Sequence, residues 1–94
     1  MKTMVVWSLK PGASLAEGVR RFLAGEAGPQ EGQKILGRWH SVDMSIGFTL
    51  IETDKPASHY VVASKFADIL DLRTYMVLED SEVAPILANF GKRS

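Results

Sequence analysis

An α+β fold, one four-stranded antiparallel sheet carrying helices, is what this chain predicts, and three observations predict it. Four short stretches rich in β-branched and aromatic residues stand at Thr3–Leu9, Lys34–Val42, Ile46–Thr53 and Leu72–Leu78. Segments with a helical apolar period separate the first stretch from the second and the third from the fourth, and another trails the last. Each of those segments carries its own start or stop signal.

The 94 residues amount to a single domain, 1–94, and 46% hydrophobic with 23% charged is the composition of an ordinary soluble globular chain. Lys plus Arg and Asp plus Glu are equal at 11 each, and no half is strongly basic. That argues against nucleic-acid binding, which leaves a basic face or a motif. The apolar run Met4–Leu9 is cut by Lys10 and Pro11 before it makes a secretory signal, and no run approaches the roughly 20 residues of a membrane span. A cytoplasmic protein with no membrane partner is expected. So short a chain buries only roughly 60 to 65% of its unfolded surface. With zero cysteines it has no disulfides to add, which leaves a homodimer as the expected source of further burial.

Thr3–Leu9 is apolar on both parities, Val5, Trp7 and Leu9 against Met4 and Val6, as a central strand covered on both faces reads. Ser14 and Glu17 form a capping box, and Leu15, Val19, Phe22 and Leu23 make the apolar stripe of a helix packed on a sheet. That helix runs out between Gly25 and Gly28. Gly37 inside the second strand marks a bulge or a close approach. Asp43–Ser45 is a hairpin connection, so the second and third strands pair antiparallel. Asp54 and Pro56 start a second helix, expected to run to about Ile69 with Val62, Phe66, Ile69 and Leu70 on its apolar line. After the fourth strand, Glu79–Glu82 open a third helix whose face is Val83, Ile86, Leu87 and Phe90, with Pro85 in the first turn and Gly91 as its stop.

This order, βαββαβ plus a C-terminal helix, is the ferredoxin-like arrangement, with the second strand at the sheet edge. Its strands are apolar on both parities, so a second copy is expected against the helix-free face unless the third helix covers it. The opening strand ending in tryptophan and Pro11-Gly12, the GRWH segment Gly37–His40, the GFTLIET strand Gly47–Thr53 and VLED at Val77–Asp80 together resemble a family of short bacterial proteins of unknown function. The resemblance implies the dimeric α+β barrel, a superfamily that includes cofactor-free monooxygenases, haem-degrading enzymes and muconolactone isomerases. It implies no catalytic residues.

Chemistry-capable side chains crowd into Lys34–Val42. Strand alternation places Leu36, Arg38 and His40 on one face and Ile35, Gly37, Trp39 and Ser41 on the other. Arg38 and His40 as neighbours suit an anionic small molecule or a proton shuttle, and a solvated edge face is the bland alternative. Trp7 and Trp39 read as core, or as stacking surfaces for a planar ligand. His59, at the start of the second helix, either faces the same cleft or is an exposed neutral side chain, and Tyr60 borders it. No metal site is expected, because two histidines without cysteine fall short of the three or four ligands zinc takes. No cofactor is expected either: Gly25, Gly28 and Gly32 match no phosphate loop. Two functions follow. One is a small organic molecule bound between sheet and helices by Trp7, Arg38, Trp39, His40, His59 and Tyr60. If that is an enzyme, the resemblance implies oxidation or isomerisation, with His40 or His59 moving a proton and Arg38 steadying an oxyanion. The other is a non-catalytic dimerisation module.

Overall fold

The computed structural model describes residues 1–90. Four strands, β1 (Lys2–Leu9), β2 (Gln33–His40), β3 (Ile46–Thr53) and β4 (Leu70–Val77), alternate with α1 (Leu15–Leu23), α2 (Ser58–Phe66) and α3 (Asp80–Phe90). All pairings are antiparallel in the order β2-β3-β1-β4. This is the expected α+β, ferredoxin-like arrangement, with β1 inside the sheet and β2 at its edge. No helix among the described residues is long and apolar enough to cross a membrane.

The register sorts the side chains. Val5 pairs with Thr49 and Thr74, and Trp7 with Gly47 and Leu72. Period-two alternation therefore turns these residues toward α1 and α2, and turns Met4, Val6, Phe48, Leu50 and Tyr75 to the outer face. The apolar core is thin: Val5, Ile51, Phe66 and Ile69 are buried, beside Thr3, Thr49, Thr53 and Ser58.

Local chemistry explains the ends of α1. Ser14 Oγ accepts from the Glu17 amide at 3.1 Å. At the other end Gly25 takes φ +80°, which lets its amide reach Phe22 O at 3.0 Å and the Glu26 amide reach Arg21 O at 3.1 Å. That is a Schellman motif, and a Cβ at Gly25 would strain it. Arg21 then ties α1 to the end of α2. Its guanidinium donates to both Asp68 oxygens at 2.8 and 2.7 Å and to Glu17 at 2.9 Å.

Four expectations need correction. The second helix is shorter than its apolar line suggests, because Ile69 lies in the turn and Leu70 already pairs with Leu9 in β4. Asp54 does not cap it: the Thr53 hydroxyl accepts from the Lys55 amide at 2.9 Å and donates to Gly32 O at 2.7 Å, so Pro56 falls in a turn before the helix. Pro85 lies five residues after Asp80, in the second turn of α3 rather than the first. The apolar stripe of α1 does not close on the sheet. Leu15, Val19 and Phe22 stay exposed and overhang a cleft. Gly91, the expected stop for α3, lies outside the described residues.

Candidate functional site

The edge strand decides which side chains the cleft receives. Ile35 pairs with Ile51 and Gly37 with Leu50, leaving Leu36 as an extra residue in a β-bulge. Strict alternation groups Leu36 with Arg38 and His40. The bulge instead puts Ile35 on their face, along the cleft, and leaves Leu36 outside it. Gly37 and Trp39 point to the outer face, where a Cβ on Gly37 would overlap the Trp39 ring. Both readings of Gly37, bulge and close approach, hold.

The cleft lies between α1 and the sheet, with a volume of about 300 Å³ and walls formed largely by apolar residues such as Val5, Leu15, Val19, Ile35 and Leu72. Its polar chemistry collects on the β2 side. Arg38 is half-buried; its Nε donates to Thr49 Oγ1 at 3.3 Å, one Nη donates to Ala27 O, and the guanidinium sits 5.5 Å from the Phe22 ring centroid. Burial draws its pKa below the ordinary arginine value, yet an arginine stays protonated throughout the physiological range. The second terminal nitrogen, Nη1, has no hydrogen-bond partner among the described residues. His40 stands edge-on to Trp7 at 5.5 Å and to Phe22 at 5.6 Å between centroids, an arrangement that favours ring edges against ring faces. Trp7 lies over Gly47, whose missing side chain leaves room for the indole.

Trp7, Arg38 and His40 thus come together. The other three candidates do not join them. Trp39 is on the outer sheet face, 53% exposed, and Tyr60 is 82% exposed on α2. His59 also fails to line the cleft, and it is not an exposed histidine either: its Nε2 is 2.8 Å from Thr3 Oγ1, which lies 3.4 Å from Ile51 O. If the threonine hydroxyl donates to that carbonyl, Nε2 carries the hydrogen and donates to Thr3. Nδ1 is then a bare lone pair, buried without a partner among the described residues. A second proton would have no acceptor there, and desolvation pushes the His59 pKa below the ordinary imidazole value.

Two contributors escaped the sequence reading. Phe22, which closes the aromatic group, was legible only as one member of the α1 stripe. Met44 borders the cleft from the hairpin with φ +65°, a conformation uncommon for a non-glycine residue. The Asp43 carboxylate holds that turn by accepting from Ser45 Oγ at 2.7 Å, Ser41 Oγ at 2.8 Å and the Ser45 amide at 3.1 Å, and these bonds bring its pKa down to about 2.

Fold and cleft together define a small α+β protein with α1 and α2 on one sheet face and an open, mostly apolar cleft beneath α1. The chain belongs to the family described as Domain of unknown function (DUF3303), which matches residues 1–91. No curated protein and no solved structure matches it significantly.

Proposed function

We propose that the chain binds a small, largely apolar organic molecule carrying one anionic or strongly polarised oxygen, held in the cleft between α1 and the sheet. The observation that supports this best is Arg38. A half-buried guanidinium with one nitrogen unpaired among the described residues, on the polar side of a mostly apolar cleft, suits an oxygen ligand. The 300 Å³ cleft equals about ten waters of liquid volume, which sets the ligand at roughly that many non-hydrogen atoms. The catalytic form of this reading gives His40 the proton and Arg38 the developing oxyanion in a cofactor-free oxidation or isomerisation. That reaction class comes from the resemblance to dimeric α+β barrels. A homodimer joined through the outer sheet faces belongs to the same reading, supported by the partly covered Met4, Val6, Phe48 and Leu50 beside the exposed Trp39 and Tyr75.

The test is NMR of the Trp7 indole in a Trp39→Phe background, titrated with benzoate, phenylacetate and octanoate and with the matching amides. The acids are expected to shift the indole signal more strongly than the amides, and Arg38→Met should weaken the effect about tenfold or more. Equal shifts from acids and amides, or unchanged binding in Arg38→Met, would remove the arginine from the account. A protein that dimerises but responds to none of these probes favours the non-catalytic module.

A further inference from the structure

We propose that α3 is an arm exchanged between two copies of the chain, each laying the apolar stripe of its α3 across the outer sheet face of the other. This rests on the homodimer reading above for the surface used, the outer sheet face, and puts the partner's α3 rather than its sheet against that face.

The stripe is Val83, Ile86, Leu87 and Phe90, at i, i+3, i+4 and i+7 of α3. It is bare: Ile86 is 66% and Phe90 76% exposed. Among the described residues α3 has no buried side chain and no extensive contact with the sheet or the other helices. A notch of about 350 Å³ opens between its base and the sheet end, lined by Met1, Lys2, Met76 and Leu78 among others. On the outer sheet face Met4, Val6, Phe48 and Leu50 are only partly covered and Trp39 and Tyr75 are exposed. One chain therefore presents both halves of a helix-on-sheet contact and joins neither to the other.

Size says how much cover is missing. A folded chain of 10.3 kDa is expected to expose about 5,400 Å². This one exposes 6663 Å². The difference, roughly 1,300 Å², exceeds the ~800 Å² that each partner buries in a standard interface. The radius of gyration agrees: 16.2 Å against about 12 Å for a compact chain of this length.

A second copy is the occupant that covers the arm and the outer sheet face together, because a two-fold pair offers two sheets and two arms. Folding α3 under its own sheet is disfavoured by the junction. Only Leu78 and Glu79 separate β4 from α3, and Lys2 Nζ donates to the Glu79 carboxylate there. The Glu79 amide is also capped by Glu82 at 3.1 Å. Those two bonds hold Glu79 at the sheet end and set the direction in which α3 leaves it.

The chain has no cysteine, so disulfide trapping is clean. A Leu87→Cys copy is mixed with a Val6→Cys copy of different tag length and oxidised, while native mass spectrometry follows the wild type and Phe90→Glu. The proposal expects a wild-type dimer, a mixed disulfide between the two copies, and a dissociation constant raised about tenfold or more in Phe90→Glu with unchanged helix content. A dimer that gives no mixed disulfide and ignores Phe90→Glu overturns the exchange and leaves the sheet-face dimer standing. A wild-type monomer overturns both. A Leu87→Cys/Val6→Cys chain that cross-links within itself at nanomolar concentration overturns the exchange, because α3 then covers its own sheet.

Discussion

Gly47→Ala tests the cleft's aromatic wall. Gly47 is buried in β3, opposite Trp7 on one side and His40 on the other. A Cβ there would enter the Trp7 indole along its fused edge and not only at its tip, so the ring must tilt and lose its edge contact with His40. Overpacking of this kind costs about 1 to 3 kcal/mol. The same change without a clash is favourable by roughly 0.5 to 1 kcal/mol, because glycine loses more backbone freedom on folding. In a Trp7→Leu background the clash is gone, so Gly47→Ala should be neutral or stabilising. The coupling between the two sites then comes to about 1.5 to 4 kcal/mol. Urea unfolding of the four proteins, followed by circular dichroism, measures it. A penalty for Gly47→Ala that is equal in both backgrounds refutes the reasoning. Gly37→Ala serves as the contrast. Its ring neighbour Trp39 is half in solvent and can swing aside, so the expected cost is under about 1 kcal/mol.

His59 titrates below the ordinary imidazole range, so the unfolded chain binds more protons as pH falls from about 6.5 toward the folded value. The stability tied to neutral His59 is complete above that range and is lost on acidification. Urea midpoints at pH 7.5 and 5.5 should separate in the wild type more than in His59→Gln, and equal separations would contradict this. Glu17 and Asp68 are each held at about 2 by hydrogen bonds from arginine, Glu17 by Arg20 and Arg21 and Asp68 by Arg21. Their contribution is present above the usual carboxylate pKa near 4 and disappears as pH falls toward about 2. Arg21→Gln should flatten that acid limb in a midpoint-against-pH series. Gly25→Ala must place a Cβ at φ +80° and is expected to cost about 1 to 2 kcal/mol. In a domain this small that is a fall of at least about 4 °C in Tm.

Much of the fold was legible because its signals are local. The run from Ile46 to Thr53 reads as a strand with the same bounds it has in the structure, and Ser14 with Glu17 marks the start of α1 through a bond made within one turn. The site was half legible. Arg38 and His40 share a face two residues apart after the bulge, so counting alternation between them succeeds. Counting back to Leu36 crosses the bulge and fails. His59 shares a helical period with Val62 and Phe66, which line the cleft, but it lies a turn earlier and meets Thr3 instead, while Tyr60 turns to solvent; period alone does not say how far along the helix the cleft extends. The partner of Arg21, Asp68, lies 47 residues away, beyond any local pattern. The stand-off of α1 from the sheet had no sequence signal, since its stripe looks the same whether or not the cleft beneath it is filled.

The bulge at Leu36 has a further effect on what the sheet edge can join. A regular outermost strand offers a repeating row of amides and carbonyls on which another chain can extend the sheet. In β2 the row changes phase between Ile35 and Gly37, so an incoming strand aligned with one half is out of step with the other. Deleting Leu36 leaves Ile35 opposite Ile51 and Gly37 opposite Leu50, which restores an unbroken ladder with every inward residue still inward. Such a deletion variant is expected to fold as the parent does and to aggregate faster, strand edge to strand edge. The supernumerary leucine therefore guards the sheet against polymerising while leaving its faces free.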